Sequence, residues 1–207
     1  NILGYSFRFI EKYPAAEKAF KMYISLNPDD PNPYDSYGEL LLKMGEYEAS
    51  LDQYEKAIEL DSSFVPSYIG IATDLNYKEQ HEQAREKLNE ILNFARNDAE
   101  KRAIYTAMAV SYTDEGKYGD AVNEFKKLYK LAENSDDEAM MANSMANIGN
   151  ILFEEGKYDE SRKSYQKSYN IIVNSEIPGE IKENTKLNKK YIGYFRRFLE
   201  ERWKRFN

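Results

Sequence analysis

Apolar residues recur along the chain at intervals of three and four, as in Tyr34, Tyr37, Gly38 and Leu41, followed by Tyr54, Ala57 and Leu60. That is the period of a helix with one buried face. The pattern also repeats on a longer scale. A small residue returns as Gly4, Gly38, Ala72, Ala109 and Gly149, at intervals of 34, 34, 37 and 40. The same intervals separate a second small series, Ala16, Ser50, Ala84, Ala121 and Ser161, and a bulky series, Phe20, Tyr54, Leu88, Phe125 and Tyr165. A fourth series, Tyr13, Tyr47, His81, Tyr118 and Tyr158, has Gly45, Gly116 and Gly156 two residues ahead of three of its members. Four series sharing one drifting period define a five-fold repeat of helix pairs. The units fall at approximately 1–29, 30–64, 65–97, 98–134 and 135–176, with 177–207 as a further helix. This gives eleven helices and no strand.

The alternation has a physical meaning. Small residues belong where two helix axes approach closely and bulky ones fill the hollow beside them, so fixed offsets copy one interhelical geometry five times. The turn glycines suit a left-handed residue just past a helix end, where a side chain costs about 1 kcal/mol. Glu11 and Glu79 occupy the matching places in the first and third units, so those turns are expected to be looser or differently shaped. Asn32 before Pro33 reads as an N-cap, Asn97 with Glu100 and Ser135 with Glu138 have capping-box spacing, and Pro28 closes the first unit. The extra residues between Leu88 and Ala109, and between Phe125 and Gly149, predict longer helices in the last two units. The first unit lacks the upstream residues that the others supply, so a missing upstream repeat is expected.

On these residues the chain resembles the tetratricopeptide repeat family: Tyr34-x2-Tyr37-Gly38-x2-Leu41, then Gly45-x-Tyr47, Ser50, Tyr54 and Ala57, is similar to its signature. The likeness runs from residue 1 to about 174, although no unit carries the family's usual Trp. It implies an all-α, right-handed superhelical solenoid whose first helices line a concave groove for peptides or partner proteins. The charged clamp by which some members hold chaperone tails is not matched, because the corresponding positions look like Asp35, Glu39, Gly70, Ala103 and Ala107.

Composition narrows the function. With 36 acidic and 29 basic residues the net charge is −7, which speaks against a nucleic-acid binder. There is no Cys and one His, which removes thiolate chemistry and His- or Cys-built metal sites. His81-Glu82-Gln83-Ala84-Arg85 starts like a zinc-protease helix but lacks its second His. His81 sits in the turn series and reads as ordinary packing. Asp pairs such as Asp29-Asp30 and Asp136-Asp137 fit helix ends better than catalysis. No enzyme activity and no cofactor are expected. No apolar run approaches the roughly 18 residues of a membrane span, so the chain is expected to be soluble, whether cytoplasmic or periplasmic and exported.

The face of each first helix turned from its partner is expected to carry Tyr5, Phe9, Asp35, Glu39 and Lys43, and beyond them the candidate peptide-binding residues Thr73, Asn76, Tyr77, Thr106, Thr113, Asn143, Asn147, Asn150 and Phe153. Asn143, Asn147 and Asn150 share one helical stripe. An amide offers donor and acceptor alike, so such a stripe suits the backbone of an extended peptide, with Tyr77 and Phe153 as apolar anchors. Residues 180–207 carry nine basic and four acidic side chains, a net of +5 against −12 for the rest. Their stripe of Leu187, Tyr191, Tyr194, Phe195, Phe198 and Trp203 reads as a basic amphipathic helix that caps the array. A dimerising or membrane-surface helix is the alternative. The expected function is a non-enzymatic scaffold that binds an unidentified peptide or partner protein. The rival is an accessory regulatory or dimerisation segment of a larger protein whose enzyme or sensor domain lies upstream.

Overall fold

In the computed structural model the described residues are 1–174. The expected capping helix at 177–207 lies outside them. Ten helices and no strand occur among the described residues: α1 (Ile2–Phe9), α2 (Tyr13–Leu26), α3 (Pro31–Met44), α4 (Tyr47–Leu60), α5 (Val65–Tyr77), α6 (His81–Leu92), α7 (Asp98–Asp114), α8 (Tyr118–Asn134), α9 (Glu138–Glu154) and α10 (Tyr158–Asn174). The chain divides into two compact units, Asn1–Glu124 and Phe125–Asn207.

In the first unit α1 packs on α2, α3 on α4 and α5 on α6, while α2 meets α3, α4 meets α5 and α6 meets α7. The small and bulky series meet at the crossings. A Cβ on Gly4 would stand 2.6 Å from the Phe20 ring, and one on Gly38 would stand 2.7 Å from the Tyr54 ring. Tyr54 is also pressed by the next hairpin, since a Cβ on Gly70 would lie 2.3 Å from it. The Ser50 hydroxyl donates to the Gly38 carbonyl at 2.9 Å, which explains a small polar residue at that position. The core continues through Val65, Tyr68, Ala72, Leu88, Ile91, Ile104 and Met108, and each of its large aliphatic side chains contributes roughly 1.5–3 kcal/mol by burial.

In the second unit α9 packs on α10 with the same device: Gly149 faces the Tyr165 ring, and Ser161 donates to the Gly149 carbonyl at 2.7 Å. Buried serines run down α10 at Ser161, Ser164 and Ser168, and Ser168 reaches the Ala142 carbonyl at 2.7 Å. The longer period has its cause here, because α7 to α10 each run 17 residues where α2 to α6 run 12 to 14.

Local geometry corrects two expectations. The turns at Glu11 and Glu79 are not looser. Their φ values of 57° and 60° are left-handed like those of Gly45, Gly116 and Gly156. All five turns close with the same bond, from Lys12 N to Phe7 O, Glu46 N to Leu41 O, Gln80 N to Leu75 O, Lys117 N to Tyr112 O and Lys157 N to Leu152 O. That bond satisfies a helix-end carbonyl and holds the two glutamates in a conformation their side chains oppose. Among the caps, Asn97 accepts from Glu100 N as expected. The other two caps are different residues: Asp30 caps α3 in place of Asn32, with Pro31 in the first turn, and Asp137 caps α9 in place of Ser135. Ser135 instead donates back to the Leu131 and Ala132 carbonyls.

Candidate functional site

The first unit carries an open cleft of about 590 Å³ along α3 and α5, with Arg8 of α1 at one side. Its walls include Glu39, Leu42, Lys43, Met44, Pro66, Ile69, Thr73 and Tyr77, and Tyr47 enters from the start of α4. The helical period places these side chains: Leu42 and Lys43 lie one turn on from Glu39 on α3, and Ile69, Thr73 and Tyr77 are one turn apart on α5.

Two features give the cleft its character. Tyr77 is 64% exposed, yet its ring is stacked on that of Tyr47 with centroids 5.6 Å apart. Arg8 is neutralised by Glu39 at 2.8 Å and lies over the Tyr5 ring, whereas the Lys43 side chain is exposed. Beside the stacked pair, Lys78 bonds Glu48 at 2.9 Å. The walls thus combine a held aromatic plate, apolar stems and an ammonium turned to solvent.

Behind the walls lie ionisable groups that are buried or half-buried. Asp35, expected on the exposed face, is buried. It accepts from the Ser67 hydroxyl at 2.9 Å, and burial pushes its pKa up to about 7. Asp74 is fully buried and neither of its oxygens has a hydrogen-bond partner. Burial raises it to about 6, against the pull of the nearby Ser50 hydroxyl and Lys78 ammonium. The Tyr54 phenol, among the residues lining the cleft, is also buried and unpartnered. Tyr5 donates to Ser36 at 3.2 Å and is pushed up to about 12, chiefly by burial.

The candidate residues fall on both units, and those of the first unit differ in what they touch. Thr73 and Tyr77 line the cleft, with the Thr73 hydroxyl bonded back to the Ile69 carbonyl. Asn76 holds the array together: its Oδ1 accepts from Ser111 at 2.8 Å and lies 3.1 Å from His81 Nδ1. Ser111 also accepts from buried Arg85, which pairs with Glu115 at 2.7 Å and stacks on Tyr112. Thr106 is half-buried on α7, and Thr113 bonds back to the Ala109 carbonyl. Phe9 is 88% exposed and is not among the cleft's lining residues.

Asn143, Asn147, Asn150 and Phe153 lie on α9 in the second unit. Their amides already have internal partners, Asn147 donating to Asn143 at 2.9 Å and Asn150 accepting from Tyr165. Phe153 meets Tyr158 at 5.2 Å. The sequence reading missed Tyr47, Leu42, Met44 and Ile69. For Tyr47 the signal was present in the turn series, which places an aromatic ring at the mouth of each helix pair.

Among the described residues no group of three or more His, Asp or Glu is gathered as a metal site requires, and no helix is long and apolar enough to cross a membrane. The family profile described as tetratricopeptide repeat matches residues 100–172 and, separately, residues 32–64. The chain is 27% identical over 147 residues to the Homo sapiens Protein O-mannosyl-transferase TMTC3, a match that takes in 70% of this chain and 15% of that protein. It therefore spans only a small part of that relative's length. A thermophilic repeat protein of this class from Thermus thermophilus has a similar structure, with a TM-score of 0.60 at 17% identity over 84% of this chain and 90% of that one. For PilF of Pseudomonas aeruginosa the TM-score is 0.61 at 15% identity, over 83% and 78% of the two chains. These likenesses show an all-α helical repeat solenoid.

Proposed function

The chain belongs to the tetratricopeptide repeat family, and on that premise we propose that it is a non-enzymatic scaffold that holds an extended segment of a partner protein in the cleft of its first unit. The observation that carries this reading is Tyr77. A largely exposed aromatic side chain held flat by a second ring has already lost the rotamer freedom that binding would otherwise cost, and Tyr is a preferred anchor of interfaces. The apolar stems of the cleft and the exposed Lys43 in its lining supply contact area and one charge. The amide stripe on α9 supports this less well, because Asn147 and Asn150 already have partners within their own unit.

The test starts with a library of extended peptides displayed against the full chain. Tyr77→Ala should weaken capture of the selected binders by about 2 kcal/mol or more, and Lys43→Ala by less, with the melting temperature nearly unchanged. Binders indifferent to Tyr77 and sensitive to Asn143→Ala would move the site to α9.

A second reading is favoured by the relative in which the matching stretch is a small part of a protein named as an O-mannosyl-transferase. In that reading the repeats are an accessory segment serving an enzyme elsewhere in a larger chain. The transcript that encodes Asn1 and its upstream codons separates the two: a catalytic domain in frame supports the accessory role, and further repeats support the scaffold.

A further inference from the structure

We propose that Asp74 is a proton-controlled latch on the cleft: once ionised it draws Lys78 away from Glu48, and so loosens the Tyr47–Tyr77 wall. The proposal rests on the cleft being the binding site only for its consequence, since the latch itself is a property of α4 and α5.

The geometry is a pair of adjacent ties across one gap. Tyr47 and Glu48 are neighbours at the start of α4, and Tyr77 and Lys78 are neighbours at the end of α5. The ring stack joins the first of each pair and the ion pair joins the second. Lys78 is the element with two choices. Glu48, its present partner at 2.9 Å, has a side chain 85% exposed, and an ion pair on such a carboxylate is weak. Asp74 lies one turn before Lys78, the residue that caps α5, at the spacing at which side chains meet, and its oxygens are buried without a partner.

A neutral carboxyl tolerates such a place at moderate cost. An ionised one does not, unless a cation or water reaches it. Asp74 stands raised to about 6, so it keeps its proton in mildly acidic solution and releases it to solvent as the pH rises towards neutrality. At that point the buried anion outcompetes the exposed Glu48 for the one ammonium between them. The helix ends then lose a tie beside Tyr77.

The surrounding charges are consistent with this assignment. From α4, the Ser50 hydroxyl lowers Asp74 while Glu48 raises it, and Lys78, just past α5, lowers it. From α3, Asp35 acts on the buried Tyr54 phenol, as Asp74 also does, and accepts from Ser67 of α5. On α6, His81 rests against Asn76 and Arg85 is committed to Ser111 and to Glu115 just past α7. His81 touches α5 through Asn76, so the test must separate its influence from that of Asp74.

The experiment is a titration of the full chain by NMR with carboxyl-labelled aspartate and ring-labelled tyrosine, assigning Asp74 by its loss in Asp74→Asn and Tyr77 by its loss in Tyr77→Phe. Asp74 should titrate near 6, and the Tyr77 ring signals should move with the same midpoint. In Asp74→Asn, which keeps His81, the Tyr77 movement should vanish. In Glu48→Gln, a surface change that leaves the fold intact, Lys78 is free for Asp74 from the outset and the Asp74 midpoint should fall by at least half a unit. A titration of Asp74 in the ordinary carboxylate range near 4, a Tyr77 response that survives in Asp74→Asn, or an Asp74 midpoint unmoved by Glu48→Gln would each overturn the latch. Should Asp74→Asn fail to fold, the wild-type and Glu48→Gln titrations decide alone. Peptides that ignore Tyr77 while the coupled titration holds would remove the binding role and leave the latch standing.

Discussion

The two units solve the same packing problem with different interiors. In both, a glycine on the first helix of a hairpin receives an aromatic ring from the second, and a serine hydroxyl closes the crossing on the glycine's carbonyl. The first unit goes on to bury ionisable groups, Asp35, Asp74 and Arg85, and one of its rings is clamped from two sides. The buried polar side chains described on α9 and α10 are serines, each bonded to a carbonyl. A hydroxyl bonded to a carbonyl is satisfied at every pH, whereas a buried carboxyl is comfortable only while it keeps its proton. One repeat geometry therefore yields an interior that buries titratable carboxyls and another whose described buried polar side chains on α9 and α10 are hydroxyls.

The largest effect should come from the clamped ring. Gly70→Ala adds a Cβ where Tyr54 stands 2.3 Å away, with Gly38 closing the other side, so the ring has nowhere to retreat. Overpacking of this kind costs about 1–3 kcal/mol, partly offset by the roughly 1 kcal/mol that Ala gains over Gly in a helix. With the ring closed in on both sides the cost should fall at the upper end of that range, for a net loss of up to about 2 kcal/mol in denaturant unfolding. Gly149→Ala in the second unit, with its ring at 3.0 Å, should stay within about 0.5 kcal/mol of wild type because the same gain offsets a milder contact. Equal losses at both positions would erase the distinction between the two crossings.

The next effect separates the interiors by pH. Asp74 is raised in the folded chain from 3.8 to about 6, so its contribution is fully present below the unfolded value and is lost as the pH climbs through 6. Asp74→Asn removes that dependence. The stability of the variant relative to wild type should rise by about 2 kcal/mol between pH 4 and pH 8, from two pKa units at 1.36 kcal/mol each, discounted for relaxation. Ser168→Ala, which removes a buried hydroxyl bond in the second unit, should cost about 1 kcal/mol equally at both pH values. A flat Asp74→Asn profile would show that the carboxyl is better hydrated than its burial implies.

How much of this was legible in the sequence depends on the range of the interaction that decides each feature. The helix pairs, the small and bulky series and the long last helices were readable, because each follows from spacing within one or two units. The roles of Asn76, Asp35 and Asp74 were not, since helical period assigns a face relative to a residue's own hairpin and not what the next hairpin lays upon it. Asn76 is held by Ser111, 35 residues away, and no local pattern announces that bond. The cleft was half visible: Thr73 and Tyr77 were selected from α5, but Tyr47 was read only as a turn aromatic. The caps at Asp30 and Asp137 lie two residues from the expected Asn32 and Ser135, because Asp, Asn and Ser are near-equivalent N-caps.

The smallest expected effect concerns the turns, where both units share one geometry but not one residue type. Gly45, Gly116 and Gly156 enter the left-handed region freely, while Glu11 and Glu79 are held there at φ 57° and 60°. A non-glycine residue loses about 1 kcal/mol in that conformation, and the closing bonds from Lys12 and Gln80 to the preceding helix keep it in place. Glu79→Gly and Glu11→Gly should therefore each stabilise the first unit by about 0.5–1 kcal/mol, the greater entropy of glycine in the unfolded chain offsetting part of the gain. The reverse change, Gly156→Glu, should cost the second unit a similar amount. Thermal unfolding of the three variants at one pH checks the set, and destabilisation by Glu79→Gly would mean that the Glu79 side chain makes a contribution larger than the strain it carries.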